Sequence, residues 1–394
     1  MNKKVKGLVF ACLALVLVFS LAGLACAPKA PTGETVPKAD LTKAQADLTK
    51  AQADLAAEKQ KTKDVEAELA ALKKPAKVYR MEPATWISSG TPFDFLTYMA
   101  DWLNKNSNGR IEDTPSAVGA VCPVEEQMEA ASAGTTMAML TTPSYYAGKI
   151  PVAALYNTSI GLPSAHDMMI CYEYFQDGAA QKLYFDQIEK NYNVKSVGSR
   201  YGEADMIYSA NVSITSIAAL KGVKFRCGDE HIAVPLTMLG ASTVWFPGSE
   251  IYTSLATGVV DAFTYGSSYD HFSMGVADVT KYWGPRNHPI VAAINEQFVV
   301  NLDVWNEMGE DLHSIISEAI EAANQRSATE SYYLMDTSWQ KAIAAGIVQV
   351  NWSDEDGKLW VETQIEFAKK YTDTVPEDAQ FMKIIADYGV FKGF

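Results

Sequence analysis

The fold prediction starts from the stretch Leu220-Lys221-Gly222-Val223-Lys224-Phe225-Arg226-Cys227-Gly228. Gly222 and Gly228 supply turns, and Val223 and Phe225 share one face of the short strand between them. This pattern places Arg226 at the end of a strand, where its guanidinium can present two parallel N–H donors to a carboxylate. Taken alone, however, an ion pair at the surface is the ordinary role of such an arginine.

The composition indicates a folded protein with more than one lobe. The chain has 394 residues, of which 48% are apolar and 20% are charged, and its formal net charge is -14. A strongly acidic surface argues against nucleic acid and anionic lipid as partners. An anionic small molecule remains possible as a ligand, because one local arginine can override the overall charge.

The first residues have the layout of a secretory signal. Residues 1–6 are basic and residues 7–25 are almost wholly apolar. The run ends at Cys26 in a sequence that resembles a bacterial lipobox, although Gly23 stands where leucine is usual. We therefore predict a signal peptide over 1–25 and a lipidated Cys26, with an uncleaved membrane anchor as the alternative. Both place the protein outside the cytoplasm and tie it to a membrane.

Residues 26–39 are rich in Pro, Ala, Thr and Lys and predict a flexible leader. The next segment, 40–74, begins with two identical copies of Asp-Leu-Thr-Lys-Ala-Gln-Ala and has no glycine or proline, which predicts a long helix. Such a helix could join copies of the chain in a coiled coil. Because Ala and Thr occupy several seam positions, the preferred interpretation is a single stalk helix that spaces the next domain from the membrane.

From residue 78 onward, short strands alternate with helices, which indicates an α/β fold. Helix, glycine and strand follow one another over 126–138 and again over 250–263. This echo is expected of two similar lobes facing each other across a cleft, or of a repeated unit within one sheet. A long helix is predicted from Glu310 to about Ala344, where it can run along both lobes as a spine.

Residues 78–394 resemble the solute receptors of TRAP transporters (tripartite ATP-independent periplasmic transporters). The resemblance is carried by the opening stretch, by Met238-Leu239-Gly240-Ala241, and by Glu250-Ile251-Tyr252 with the following Leu255-Ala256-Thr257-Gly258-Val259-Val260-Asp261-Ala262. Tyr145-Tyr146-Ala147-Gly148-Lys149 and Lys281-Tyr282-Trp283 are closer to the branch that binds 2-oxo acids and other monocarboxylates. The resemblance implies a two-lobed periplasmic-binding-protein-like fold with a long spine helix, here preceded by the helical stalk.

The resemblance also implies site residues. The family's arginine, which forms a bidentate salt bridge with the ligand carboxylate, falls on Arg226. Asp205 stands where the 2-oxo-acid branch has a glutamine that touches the ligand and a metal ion. Thr264 and Tyr265 stand where that branch has Glu-Trp. Tyr146 and Tyr265 could line the pocket and donate O–H bonds, or could pack in the core.

A bridging calcium or sodium ion is implied by the same branch. Thr264 in place of Glu removes a charged oxygen ligand, whereas Asp205 in place of Gln can restore one. A further ligand from the second lobe would fall at Glu296 or Gln297. Without a metal, Asp205 could instead pair with Arg226 or accept a hydrogen bond from the ligand.

These observations predict an extracytoplasmic, membrane-anchored receptor that captures a small organic acid, most simply a 2-oxo or hydroxy monocarboxylate, and docks on a TRAP permease. An enzyme is the main rival class, but the chain has no GxSxG, HExxH, P-loop or GxGxxG sequence. A ligand-sensing ectodomain that acts with a signalling partner is a third possibility. The five cysteines include no CxxC pair, so neither a zinc site nor a redox site is predicted.

Overall fold

The computed structural model describes residues 38–72, 77–157, 160–162, 164–204 and 208–389. The predicted signal peptide, Cys26 and the first part of the leader lie outside these residues. The chain divides into two compact units, residues 1–73 and 74–394, which are described separately. Within the described ranges, no helix is both long enough and apolar enough to cross a membrane.

The first unit contributes one described helix, α1 (Lys38–Leu72). Its 35 residues extend for about 50 Å at roughly 1.5 Å per residue. Leu48, Leu55 and Val65, which belong to the heptad seam, are exposed along it.

The second unit is α/β. Its helices are α2 (Thr91–Asn106), α3 (Gln127–Ser132), α4 (Val152–Tyr156), α5 (Ala165–Met169), α6 (Ala179–Asn191), α7 (Glu230–Met238), α8 (Ile251–Ala256), α9 (Ser268–Ser273), α10 (Leu302–Glu307), α11 (Glu310–Ala344), α12 (Asp354–Thr372) and α13 (Pro376–Tyr388). Its strands are β1 (Tyr79–Met81), β2 (Ile111–Asp113), β3 (Ala138–Thr141), β4 (Val194–Glu203), β5 (Tyr208–Ala210), β6 (Lys224–Arg226), β7 (Ser242–Val244), β8 (Ala262–Phe263), β9 (Tyr282–Gly284), β10 (Ala293–Asn301) and β11 (Val348–Gln349).

Lobe 1 is built on an antiparallel sheet in the order β3-β10-β4, with the parallel pair β1–β2 beside it. This lobe contains two apolar cores. One contains α2, whose apolar positions Phe95, Leu96, Met99 and Leu103 are buried at helical spacing. The other core includes Phe381, Met382, Ile384 and Ile385 from the middle of α13, so this C-terminal helix packs on lobe 1.

Lobe 2 is built on a six-stranded sheet in the order β11-β9-β5-β8-β6-β7. Strand β6 lies between β8 and β7 and is parallel to both. Open sheets of this kind hold ligands beyond the carboxyl ends of their strands, and Arg226 is the last residue of β6. The predicted position of Arg226 in the fold is therefore observed.

The long helix α11 spans both lobes. Leu312 and Ile316 pack in a core of lobe 1, whereas Trp339 and Ala342 pack in a core of lobe 2. The two-lobed fold with a spine helix is thus confirmed. The helix–glycine–strand echo is also present, because Gly134 and Gly258 each follow a helix with φ +73°. The second strand is shorter than predicted and covers only Ala262–Phe263.

Candidate functional site

A cavity lies between the two lobes at the carboxyl end of β6. Residues from both lobes line it: Trp86, Thr142, Tyr145, Asn157, Arg226, Gly228, Asp229, Tyr265, Gly266, Ile294, Asn295 and Glu296. The cavity has a volume of about 30 Å³. This conformation therefore has room for only a few heavy atoms.

The neighbouring parallel strands hold the side chain of Arg226 in place. In register, Arg226 pairs with Phe263 of β8 and with Val244 of β7, so the residues just after those strands surround its guanidinium. Nε donates to the carbonyl of Phe246 at 2.9 Å and Nη1 donates to the carbonyl of Thr264 at 3.0 Å. These bonds fix the plane of the guanidinium while leaving Nη2 free of hydrogen bonds within the described ranges.

The charge of Arg226 is buried without a counter-ion. Only 1% of the residue is exposed, and no described carboxylate lies within ion-pair distance of it. The ring of Tyr265, with its centroid 4.9 Å from Cζ, offers only a cation–π contact. A buried cation in this state gains most from an anion that can accept its remaining donors. Gly228 keeps the approach open, since a Cβ there would lie 3.0 Å from Nη1.

Two aromatic side chains, Tyr265 and Trp86, connect Arg226 to lobe 1. The rings of Tyr265 and Trp86 meet edge to face at 4.6 Å, and the Tyr265 hydroxyl donates to the Trp86 carbonyl at 3.2 Å. Trp86 lies in the segment between β1 and α2, and its Nε1 donates to Oε1 of Glu296 at 3.1 Å. This chain of contacts couples the side of the cavity that holds Arg226 to strand β10.

Glu296 lines the cavity but is already paired. Strands β4 and β10 place Arg200 directly opposite it, and Nη1 of Arg200 donates to Oε2 of Glu296 at 2.6 Å. Both side chains are buried, with exposures of 0% and 1%. Since Trp86 takes the other oxygen, both oxygens of Glu296 are engaged.

Two neutral amides face the cavity unpaired. Neither side-chain atom of Asn295 has a hydrogen-bond partner within the described ranges, and neither does Oδ1 of Asn157. The backbone N–H of Asn295 donates to the backbone carbonyl of Asn157 at 3.1 Å, which holds the two residues together. A buried polar group left unpaired costs about 1–3 kcal/mol. Polar groups of a ligand, or ordered water, would remove that cost.

Burial sets the protonation of the neighbouring groups. It raises the pKa of Tyr145 and of Tyr265, while the Arg226 charge lowers both pKa values. Both phenols therefore remain O–H donors at neutral pH. Burial also raises the pKa of the Cys227 thiol to about 11, so this neighbour of Arg226 is a protonated thiol and a poor nucleophile.

The structure places the other predicted residues in different positions. Tyr265 lines the cavity. Thr264 contributes its carbonyl to Arg226, while its hydroxyl contacts Sγ of Cys227 at 3.2 Å. Tyr146 belongs to a core of lobe 1, where its hydroxyl accepts from the Met128 N–H at 3.2 Å. Its neighbour Tyr145 lines the cavity instead, because the turn Pro143–Tyr146 points the two rings in different directions.

The predicted metal ligands are not assembled by the described residues. Gln297 points away from the cavity, accepting from the Tyr184 hydroxyl at 2.8 Å and donating to Ser196. Asp205 lies outside the described residues. Across the described ranges, no three His, Cys, Asp or Glu side chains form a group that could hold a metal ion. Within the described ranges, the side-chain oxygens free at the cavity include those of Asp229, the amide oxygens of Asn157 and Asn295, and Oγ1 of Thr142, which suit a hard cation only if the ligand adds its own oxygens.

Several lining residues were not predicted from the sequence. Asp229 follows Arg226 by three residues, and that proximity was the only available signal for it. Arg200, Asn157 and Trp86 reach the site through strand pairing and chain crossing, which no local pattern reveals.

Comparison with known proteins identifies the family of the chain. The sequence profile described as "Bacterial extracellular solute-binding protein, family 7" matches residues 84–374. A monocarboxylate 2-oxoacid-binding periplasmic protein of Nostoc sp. is 25% identical over 316 residues, which are 78% of this chain and 82% of that protein.

Solved structures share the fold. A TRAP periplasmic solute-binding protein of Colwellia psychrerythraea with bound calcium and pyruvate has a TM-score of 0.68 and 20% identity, over 79% of this chain and 94% of that one. A counterpart from Pseudoalteromonas atlantica with bound sodium and pyruvate has a TM-score of 0.68 and 19% identity over the same shares. Because the profile covers most of the two-lobed unit, the chain belongs to family 7 of the bacterial extracellular solute-binding proteins.

Proposed function

We propose that this protein is the solute receptor of a TRAP-type transporter and that it binds a small organic acid between its lobes. The observation that carries the proposal is Arg226, a buried cation at a cavity wall with no anionic partner within the described ranges. The ligand carboxylate supplies that partner. The Nostoc relative is named for monocarboxylate 2-oxo acids, which supports a 2-oxo or hydroxy monocarboxylate as the ligand class.

Binding is coupled to closure of the lobes. Arg226 and Tyr265 come from lobe 2, whereas Asn157, Asn295 and Glu296 come from lobe 1, so a ligand that touches both groups stabilises the closed arrangement. Closure excludes water and thereby strengthens the ion pair between ligand and Arg226. A permease that recognises only the closed form can then distinguish loaded from empty receptor.

A bridging calcium or sodium ion is the alternative to direct contact between the ligand and Asp229, and it requires the ligand to add oxygens of its own. The unpaired amide oxygens and Asp229 would contact the ion together with the ligand carboxylate. The ion would supply positive charge beside that carboxylate. Arg226 remains the residue that orients the acid, whether or not an ion is present.

The proposal also assigns roles to Cys26 and to helix α1, which precede the two-lobed unit in the sequence. Lipidated Cys26 would tether the protein to the outer face of a membrane, and α1 would serve as the stalk. The exposed Leu48, Leu55 and Val65 leave self-association of α1 as an alternative to a single stalk helix. Enzymatic turnover is not expected, since the thiol of Cys227, next to Arg226, has a raised pKa and is a poor nucleophile.

Native mass spectrometry of the purified protein, followed by thermal shift with paired ligands, tests the function. Each short carboxylic acid is compared with its own amide, for example pyruvate with pyruvamide. We expect a retained or added acid to raise the melting temperature and the amide to have little effect. Equal effects of acid and amide, or turnover of any acid, would contradict the proposal.

A further inference from the structure

We propose that Asp229 makes the site selective for acids whose second polar group donates a hydrogen bond, so that 2-hydroxy and 2-amino acids bind more tightly than 2-oxo acids of the same size. The inference rests on the proposed function and specifies its ligand class. Its basis is an acidic residue that lines the cavity and whose side chain makes no hydrogen bond or ion pair with the described residues.

Asp229 occupies the position before a helix where an aspartate usually caps the helix. Its carbonyl does accept from the N–H groups of Ile232 and Ala233, at 3.1 and 2.9 Å, at the start of α7. Its carboxylate, however, makes no capping hydrogen bond. The Asp229 side chain therefore does not cap helix α7.

Asp229 is instead one of the residues that line the cavity, as Arg226 is, and it is half-buried. Burial is the main cause of the raised pKa values of Tyr145 and Tyr265; the positive charge of Arg226 lowers both pKa values, and the negative charge of Asp229 raises both by a smaller amount. Both charges therefore act on one set of rings. No ion pair joins Asp229 to Arg226 or to another residue in the described part of the chain.

The chemistry of the other polar groups makes Asp229 the discriminating one. An ionised carboxylate only accepts hydrogen bonds, whereas the amides of Asn157 and Asn295 can donate or accept. Glu296 has both oxygens engaged by Trp86 and Arg200. A ligand hydroxyl or ammonium would therefore donate to Asp229, whereas a 2-oxo oxygen has no proton to donate and its partial negative charge would face the carboxylate.

A metal ion is the competing occupant of the space beside Asp229. A cation there would let a 2-oxo acid bind, because the ion could bridge the oxo oxygen and the carboxylate of Asp229. Binding must therefore be measured on chelator-treated protein, and then repeated with calcium and with sodium.

The test is isothermal titration of wild type and of Asp229→Asn with two matched pairs, lactate with pyruvate and 2-hydroxybutyrate with 2-oxobutyrate. A hydrogen bond to a charged acceptor contributes about 1.5–3 kcal/mol, so the hydroxy acid should bind wild type about 10- to 100-fold more tightly. The Asn side chain can donate, and the ratio should fall to about one or reverse. Glu230→Gln removes the same charge from the neighbouring, exposed residue and should leave the ratio unchanged.

Three results would count against parts of the account. An equal ratio in wild type and Asp229→Asn would overturn the role of Asp229 while leaving the receptor function intact. Tighter binding of the 2-oxo acids to wild type in calcium or sodium would assign Asp229 to a metal ion and overturn the inference. If no acid in the panel bound, the proposed function itself would fail.

Discussion

Replacing Glu296 by leucine should destabilise the two-lobed unit strongly. The change leaves the guanidinium of Arg200 buried without a carboxylate, and its Nε and Nη2 already have no partner within the described ranges. Breaking a buried pair by removing one member costs about 3–5 kcal/mol. At about 2 °C per kcal/mol for a domain of this size, the melting temperature should fall by about 6–10 °C.

The matched control is Glu112→Leu. Glu112 forms an ion pair of the same kind with Arg80, at 2.8 Å, but their side chains are 54% and 72% exposed. An exposed pair contributes at most about 1 kcal/mol, so the melting temperature should change by no more than about 2 °C. Differential scanning calorimetry of both variants without ligand measures the difference.

A double variant separates the lost charge pair from lost packing. In Arg200→Met with Glu296→Leu no unpaired charge remains, so the double variant should be more stable than Glu296→Leu alone. If Glu296→Leu melted within about 2 °C of wild type, or if the double variant were less stable than either single variant, the buried pair would not have the energetic role described.

Three further predictions concern the space beside Tyr265, the pH dependence of folding stability and the removal of a bound metal ion. Gly248→Ala should weaken acid binding at least tenfold in titration calorimetry, because a Cβ at this position would lie 2.1 Å from the Tyr265 hydroxyl. The control is Gly148→Ala, whose added Cβ would have no atom within 4 Å, so this variant should bind the acid with wild-type affinity. Burial raises the pKa of Asp113 to about 8, above its unfolded value, so folding stability should fall as pH rises from about 4 to about 8. Asp113→Asn should remove that fall in pH-dependent melting and match wild type near pH 4; a parallel fall in both proteins would contradict the assignment. Chelation should lower acid affinity if an ion bridges the ligand, and unchanged affinity would exclude the bridge.

Local sequence patterns predicted much of the fold. The apolar stripe of α2 and the full extent of α11 could be read from helical periodicity, because each helix buries one face against a core. Helix α11 ends before Gly346, whose φ of +103° favours glycine. The position of Arg226 followed from two turn signals and the short strand between them.

The remaining parts of the site depend on contacts between distant segments. The choice between Tyr145 and Tyr146 is made by a short turn that has no periodic pattern. Arg200 reaches Glu296 only through the register of β4 with β10. Asp229 carries no distinctive sequence signal, because an aspartate before a helix normally caps it, and the structure shows that this carboxylate does not.

The central claim is that Arg226 binds the ligand carboxylate, and titration of wild type and Arg226→Gln with the acid that binds best tests it most directly. Loss of a desolvated charge pair costs about 2–5 kcal/mol, so affinity should fall by about 30- to several-thousand-fold. The unliganded variant should melt at or above the wild-type temperature, since Arg226 is a buried cation without a carboxylate partner in the described ranges. An affinity within threefold of wild type, in a variant that folds normally, would contradict the account.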